Sequence, residues 1–384
     1  MTSADVEQTR KSQPTVQLAT RIIFLIAGIG VSTWAPLVPF AKSRLDVSDA
    51  ALGGLLLFLG LGSLIAMPLT GSLVGKQGCK RVIVCSSLIV ILMLPFMATL
   101  SSPVTLALAL MLFGAAIGTL DVAMNIQAVE VEKAAERTMM SGFHGFYSIG
   151  GIAGAGLVSA LLWLGLSPLQ AVLAMLLLLL LLLLASQRGM LTERMHQQDT
   201  PLFVVPRGWV LFLGVLCFIL FLTEGAVLDW SALLLTQERK MPAAQAGLGY
   251  AVFSIAMSIG RLTGDRIVNR FSNRLVLAGG CLCAALGVLL LISVDNVTIA
   301  LLSFLLIGFG AANTVPILFS AAGRQTVMPV NMAVSAMTTI GYAGILAGPA
   351  LIGFVAHGFG LVTAFAAIVV LLVAVAASAR LVTR

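Results

Sequence analysis

Stretches of about 18–25 mostly apolar residues recur from one end of this 384-residue chain to the other, each long enough to cross bilayer hydrocarbon as a helix. No other feature narrows the fold so far. Only 10% of the residues are charged and the mean hydropathy is +1.08, which no soluble core of this length could accommodate. The short alternating segments of a transmembrane β-barrel are missing. The expected fold is therefore an all-α membrane protein that crosses the bilayer many times. The net charge of +7 reads as loop asymmetry against lipid, and no nucleic-acid partner is expected. The cysteines Cys79, Cys85, Cys217, Cys281 and Cys283 are odd in number, and four of them lie in apolar segments. Neither a disulfide framework nor a metal site is expected from them.

Twelve spans are expected, at roughly 21–41, 49–74, 82–100, 104–128, 139–164, 168–187, 208–235, 244–268, 275–293, 297–322, 332–356 and 360–381. Connections such as Ser101–Pro103 and Gly165–Ser167 are so short that neighbouring helices must run antiparallel. The one substantial connection, Arg188–Arg207, is polar and falls at the midpoint. The expected domains are a polar tail (1–20), a six-helix bundle (21–187), a linker (188–207) and a second six-helix bundle (208–384). The run Ile22–Phe40 contains Pro36 and Pro39, lacks a small-residue cleavage site, and reads as a retained helix instead of a signal peptide. Of the 22 Lys+Arg, Lys42, Arg44, Arg239 and Lys240 fall on one side and Arg261 inside a span, leaving 17 on the side of the linker and both termini. That side is expected to be cytoplasmic.

The chain also matches itself at an offset of 194. Gly150 falls over Gly344, Ala153 over Ala347, Gly154 over Gly348, Gly114 over Gly308 and Gly53 over Gly247, and "LVGKQG" (73–78) over "IVNRFS" (267–272). All share one ungapped register, which chance supplies far less readily than any single glycine match. Two parallel six-helix repeats joined by a polar linker describe a known transporter architecture.

At these positions the chain resembles the major facilitator superfamily, over nearly its full length. The loop motif of that family, roughly G-x-L-x-D-[RK]-x-G-[RK]-[RK], stands here as "GSLVGKQGCKR" (71–81). Gly71, Lys76, Gly78 and Lys80 are in place and Arg81 follows directly, but Gly75 occupies the position of the acid. Its counterpart "DRIVNRFSNR" (265–274) has Asn269 at the acid, followed by Arg270. The resemblance thus implies a cytoplasmic gating loop in each half whose usual latching acid is missing. "DVAMN" (121–125), "HGFYSIGG" (144–151), "EGAVLDW" (224–230), "GRLTG" (260–264) and "IGYAGILAGPALIG" (340–353) are similar to the fucose-permease and rhizopine-transporter branch. Drug/proton antiporters of the family carry Gly-Pro in helix 5; this chain has Gly154-Ala155 there and Gly348-Pro349 in helix 11, which disfavours drug efflux.

An ionisable side chain at mid-bilayer costs at least ~2.5 kcal/mol on insertion scales, so the few inside spans are the candidates for function. "FLTEGAVLDW" (221–230) holds Glu224 and Asp229, five residues and about 140° apart around a helix. They are not expected to share a face. Glu224, near mid-depth, is the expected proton carrier, because a carboxyl withdrawn from water takes up a proton more readily. Asp229, nearer the periplasmic end, is a cap, a gate contact or a solute ligand. Asp121 and Asn125 lie i,i+4 on one helix face. Asp121 is the second proton-coupling candidate, or else the structural partner of a buried cation such as Arg261. Arg261 itself reads as a structural ion-pair residue or a solute contact. His144, beside Tyr147 on span 5, is a proton relay or a satisfied structural histidine.

Candidate solute contacts are Asn125, Tyr147, Asp229, Asn313, Trp34 and Trp230. The tryptophans read equally as interface anchors or as platforms for a sugar ring. The pairs Gly71/Gly75, Gly150/Gly154, Gly260/Gly264 and Gly344/Gly348 permit close helix approach, and the resemblance implies that they face the other half. Span 6, with its run Leu176–Leu184, has no polar face and is expected to meet lipid. The expected function is secondary transport of a small polar solute (a sugar, polyol or derivative) through an inner membrane, with H⁺-coupled uptake, by a monomer in the lipid bilayer without cofactor or metal. An exporter or drug/metabolite antiporter of the same fold is the alternative. An intramembrane enzyme is remote: no Ser-nucleophile motif, HExxH pair or nucleotide loop is present.

Overall fold

Hydrocarbon offers no water to a backbone N–H or C=O, so a spanning chain must pair them within itself. A computed structural model describes residues 11–192, 205–242 and 245–383, and their regular structure is entirely helical. Eleven of the helices are long and apolar enough to cross a membrane. They are α1 (Pro14–Leu45), α2 (Asp49–Gln77), α3 (Cys79–Thr99), α4 (Pro103–Ala135), α5 (Met140–Trp163), α6 (Pro168–Ser186), α7 (Gly208–Arg239), Leu248–Ser293, α10 (Val297–Arg324), α11 (Val330–Phe359) and α12 (Leu361–Val382). Leu248–Ser293 leaves helical geometry at Ser272 (φ 72°, ψ 152°). It therefore supplies two spans, α8 (248–271) and α9 (273–293), and the expected twelve are complete.

Local chemistry sets the helix ends. Ser48, Ser167 and Asn296 accept from Ala51, Gln170 and Ile299 N–H groups that have no partner in their own helices. α1 tightens to a 3-10 turn at Ala35–Leu37, around Pro36. α10 loses helical form between Ala311 and Thr314. The expected tail is shorter than 20 residues: α1 begins at Pro14, where a proline costs no hydrogen bond, with Val16, Ala19 and Thr20 buried. Lys11 pairs with Glu130 at 3.1 Å. Residues 1–10 and most of the linker lie outside the described residues, although Met190 and Leu191 at its start are buried.

The duplication is written in the backbone. Asp46 and Lys240, 194 residues apart, are both left-handed (φ 50° and 54°) and end α1 and α7. Gly78 (φ 83°, ψ 156°) and Ser272, also 194 apart, turn α2 into α3 and α8 into α9. A Cβ on Gly114 would overlap the Leu59 carbonyl, and one on Gly308 that of Phe253, both crossings again 194 apart. The Arg44 guanidinium donates to the Met97, Ala98 and Leu100 carbonyls that end α3. Arg239 does the same for Leu291 near the end of α9.

The chain forms two compact units. One holds α1–α4, α5 from Phe146 onward, α6 and Met328–Ala336; the other holds Arg137–Gly145, α7–α10, α11 from Met337 onward and α12. In these units the first turns of α5 and α11 group with the opposite repeat. Some of the small-residue pairs meet other partners than expected, although Gly71 lies against Asn331 and Ser335 of α11 and Gly264 against Ser141 of α5. Gly150 and Gly154 lie against Leu25 and Ile29 of α1, Gly344 and Gly348 against Phe218 and Leu222 of α7, and Gly260 against Ala312 of α10. Close approach within each repeat, where helices must fill the space without voids, uses these glycines. α6 exposes Leu177, Leu181 and Leu184 and buries Val172, Met175, Leu179 and Leu183.

At Ser272 a non-glycine residue holds a conformation that is essentially restricted to glycine, at a cost of about 1–3 kcal/mol. Ser272→Gly should raise the thermal unfolding midpoint of the detergent-solubilised protein, and Gly78→Ser should lower it. An unchanged midpoint for Ser272→Gly contradicts the strain at this turn.

Candidate functional site

The second unit gathers most of the ionisable candidates. Glu224 on α7 and Arg261 on α8 form an ion pair, with Nη2 donating to Oε1 at 3.3 Å and side-chain exposures of 19% and 9%. Both sides of this pair lie in apolar helices, where each charge alone would be costly. The carboxylate that meets Arg261 is thus Glu224, from the next helix back, and the pair stands where the GRLTG segment crosses α7. His144, in the first turns of α5, is buried and stacks at 5.5 Å and 37° on Phe319 of α10, within electrostatic reach of Arg261.

Asn313 sits at the break in α10. Its Nδ2 donates to the Gly260 carbonyl at 3.2 Å, while its buried Oδ1 has no donor among the described residues. The break is possible because Gly260 and Gly264 present bare backbone: a Cβ on Gly264 would occupy the place of the Asn313 amide. Asp229, five residues after Glu224, is exposed, and Trp230 packs its ring against Gly353 of α11, its indole N–H without an acceptor among the described residues.

In the first unit Asn125, fully buried on α4, donates to the Asp121 carbonyl at 2.9 Å and its carboxylate at 3.4 Å. Asp121 has no ion-pair partner among the described residues. Trp34 is buried, and its indole N–H has no acceptor among the described residues. Tyr147, one turn beyond His144, is half-buried and groups with this unit, so the i,i+3 neighbours on α5 serve different units. Gln127 ties Thr20 Oγ1 (3.0 Å) to the Leu191 N–H (3.2 Å), and Lys80 N–H reaches the Leu191 carbonyl. That structural knot was not legible in the sequence.

The loop motifs behave unequally. Gly78 forms the turn, Gly71 accepts from Asn331, Gly75 is buried, and Lys76 and Arg81 are exposed. Asn269 and Arg270 are exposed, with the Arg270 guanidinium 5.7 Å from the Phe271 ring. The residue that makes the contact is Asp265, at the first position of the second motif. Its carboxylate accepts from the Gly142 N–H at 3.1 Å. Sequence reasoning passed over it because the family motif has glycine there; its spacing of one helical turn from Arg261 was the available signal.

The family model of the Major Facilitator Superfamily matches residues 22–329 and, in a second overlapping match, 230–384. The chain belongs to the major facilitator superfamily. It is 58% identical over 96% of its length to an MFS-type transporter of Yersinia pestis, covering 96% of that protein. It is 35% identical over 91% of its length to a transporter of Sinorhizobium fredii (95% of that protein), and 29% over 88% to the membrane protein MosC of Rhizobium meliloti (83%). Among solved structures, the superfamily transporter FucP in its outward conformation superposes with a TM-score of 0.81, covering 98% of this chain and all of that one at 17% identity. This member of the superfamily is accordingly a transporter with the fold of the fucose:proton symporter, and not an enzyme.

The ion pair can be weighed by its asymmetry. A carboxyl deprived of its cation can neutralise itself by taking up a proton, whereas a guanidinium cannot release one. Glu224→Met should therefore lower the thermal midpoint more than Arg261→Met, and the double variant should recover much of the loss. Equal losses that simply add would contradict a pairwise bond.

Proposed function

We propose that this transporter takes up a small polar solute, a sugar, polyol or derivative, in symport with H⁺. It would do so across the inner (plasma) membrane, with both termini cytoplasmic as the loop charges indicate. The observation that carries the proposal is the Glu224–Arg261 pair inside two spanning helices. A proton arriving at Glu224 abolishes the negative charge that faces Arg261 and leaves the guanidinium without that carboxylate in an apolar setting. That arrangement costs free energy unless the helices rearrange or an acceptor of the solute takes the place of the carboxylate. Protonation and solute binding thereby favour the same, separated arrangement of the pair, which is the differential interaction that symport needs.

Asp121 is the second titrating candidate, because among the described residues only Asn125 supports it. The two indole N–H groups support the solute class. An indole N–H shut off from water usually finds an acceptor, and among the described residues neither Trp34 nor Trp230 has one; ring and chain hydroxyls of a polyol supply acceptors, and their C–H faces stack on indole. Asn313 Oδ1 offers the complementary acceptor. Asn125, Tyr147 and Asp229 complete the proposed solute set, with His144 as a relay between Arg261 and the start of α5. The likeness to a structure described as the E. coli fucose:proton symporter, at a TM-score of 0.79 and 17% identity, agrees with this reading through the fold.

Uptake into proteoliposomes, screened over neutral hexoses, pentoses and polyols with and without an inward proton gradient, tests the proposal. The wild type should concentrate one of these solutes only under the gradient. Glu224→Gln should bring accumulation down to passive equilibration while solute counterflow persists. Normal gradient-driven accumulation by Glu224→Gln would overturn the assignment.

A further inference from the structure

The first turn of α5 is fastened by a residue 123 positions away. Gly142 lies in that first turn, where N–H groups have no partner within their own helix, and Asp265 supplies one: its carboxylate accepts from Gly142 N at 3.1 Å. The Thr138 hydroxyl donates to the Asp265 carbonyl at 3.3 Å, so the connection into α5 is held from two atoms of one residue. Gly142 leaves no slack, because a Cβ there would overlap Asp265 Oδ2, and Ser141 and Gly145 lie equally close to Gly264 and Leu262. An anion at a helix N-terminus also meets the positive end of the helix dipole.

The corresponding place in the first unit is bonded differently. There Asn331 donates to the Gly71 carbonyl at 2.7 Å, and Ser335 to the Met67 carbonyl at 2.6 Å. Both bonds run from neutral side chains to backbone, and Gly71 is the residue 194 positions before Asp265. Of the two repeats, only the second places a carboxylate at this position. The motif positions that lack an acid, Gly75 and Asn269, make no such bond, and Asn269 is exposed.

We propose that Asp265 is a positioning residue for transport. Its carboxylate holds the first turn of α5, and with it His144, on α8 beside Arg261, and that hold must be released for the solute pathway to open on the Asp265 side. The constraint falls on the step that exchanges access between the two sides, and it requires neither a particular solute nor proton coupling.

Single cysteine reporters in the full chain, with the five native cysteines replaced by serine, test this without a known solute. One reporter replaces Ser141, beneath the contact; the other replaces Trp230, toward the end of α7 remote from Gly208. The probe is a membrane-impermeant maleimide applied to right-side-out and to inverted vesicles. Asp265→Ala should raise labelling at position 141 roughly fivefold, the shift that loss of one helix cap brings, and should lower labelling at position 230. Asp265→Asn, which keeps an acceptor oxygen, should stay within about twofold of the parent. Gly142→Ala should reproduce Asp265→Ala by displacing the carboxylate instead of removing it, and it carries the test if Asp265→Ala fails to reach the membrane. Unchanged rates in both Asp265→Ala and Gly142→Ala overturn the proposal. So does a rise at both reporters together, which marks a loosened fold and not a shifted access equilibrium.

Discussion

In hydrocarbon a backbone polar group has no solvent to fall back on, and each interruption of a helix must be answered by protein atoms. The structure answers its interruptions in matching pairs. Left-handed Asp46 and Lys240 end α1 and α7, and Gly78 and Ser272 turn the chain between α2 and α3 and between α8 and α9. Arg44 and Arg239 close the carbonyls at the ends of α3 and α9. Close crossings at Gly114 and Gly308 bring backbone against backbone, where side chains would hold the helices apart. The break at Asn313 differs in kind. It leaves an amide oxygen open in a buried setting, and unsatisfied polar atoms of that sort collect where a ligand completes the bonding.

The same accounting applies to charge. Glu224 and Arg261 answer each other across two helices, so the pair is tolerated only as a pair. Asp121 has an asparagine in place of a cation among the described residues. In the proposed mechanism the two acids would offer two ways of holding a proton inside a membrane: one whose protonation releases an arginine, and one that changes only its own charge. The proposed coupling through the first would have structural reach, because Arg261 shares α8 with Asp265, and Asp265 fastens the helix that carries His144.

Much of this was legible in the residues. The twelve spans, the duplication at 194 and the separation of Glu224 from Asp229 follow from hydropathy, register and helical periodicity. The turn at Ser272 was not, because serine gives no sign of a glycine-only conformation; the alignment of "LVGKQG" over "IVNRFS" was the one available clue. Partners of the small-residue pairs were also hidden. Spacing says that a helix can be approached closely, but not by which neighbour, and Gly150 and Gly344 turn toward α1 and α7. Asp265 escaped because its position is defined by a contact 123 residues away, and a local motif names only what is expected in place. Arg261 offered two acids as partners, and only three-dimensional placement selected Glu224.

The central claim, that a proton at Glu224 is spent in moving the solute, is tested most directly by watching the proton. In a lightly buffered suspension of proteoliposomes, addition of a transported sugar or polyol should alkalinise the medium as solute enters. The change should vanish with Glu224→Gln and on collapse of the gradient by a protonophore. Solute entry with no accompanying change in external pH would contradict the account.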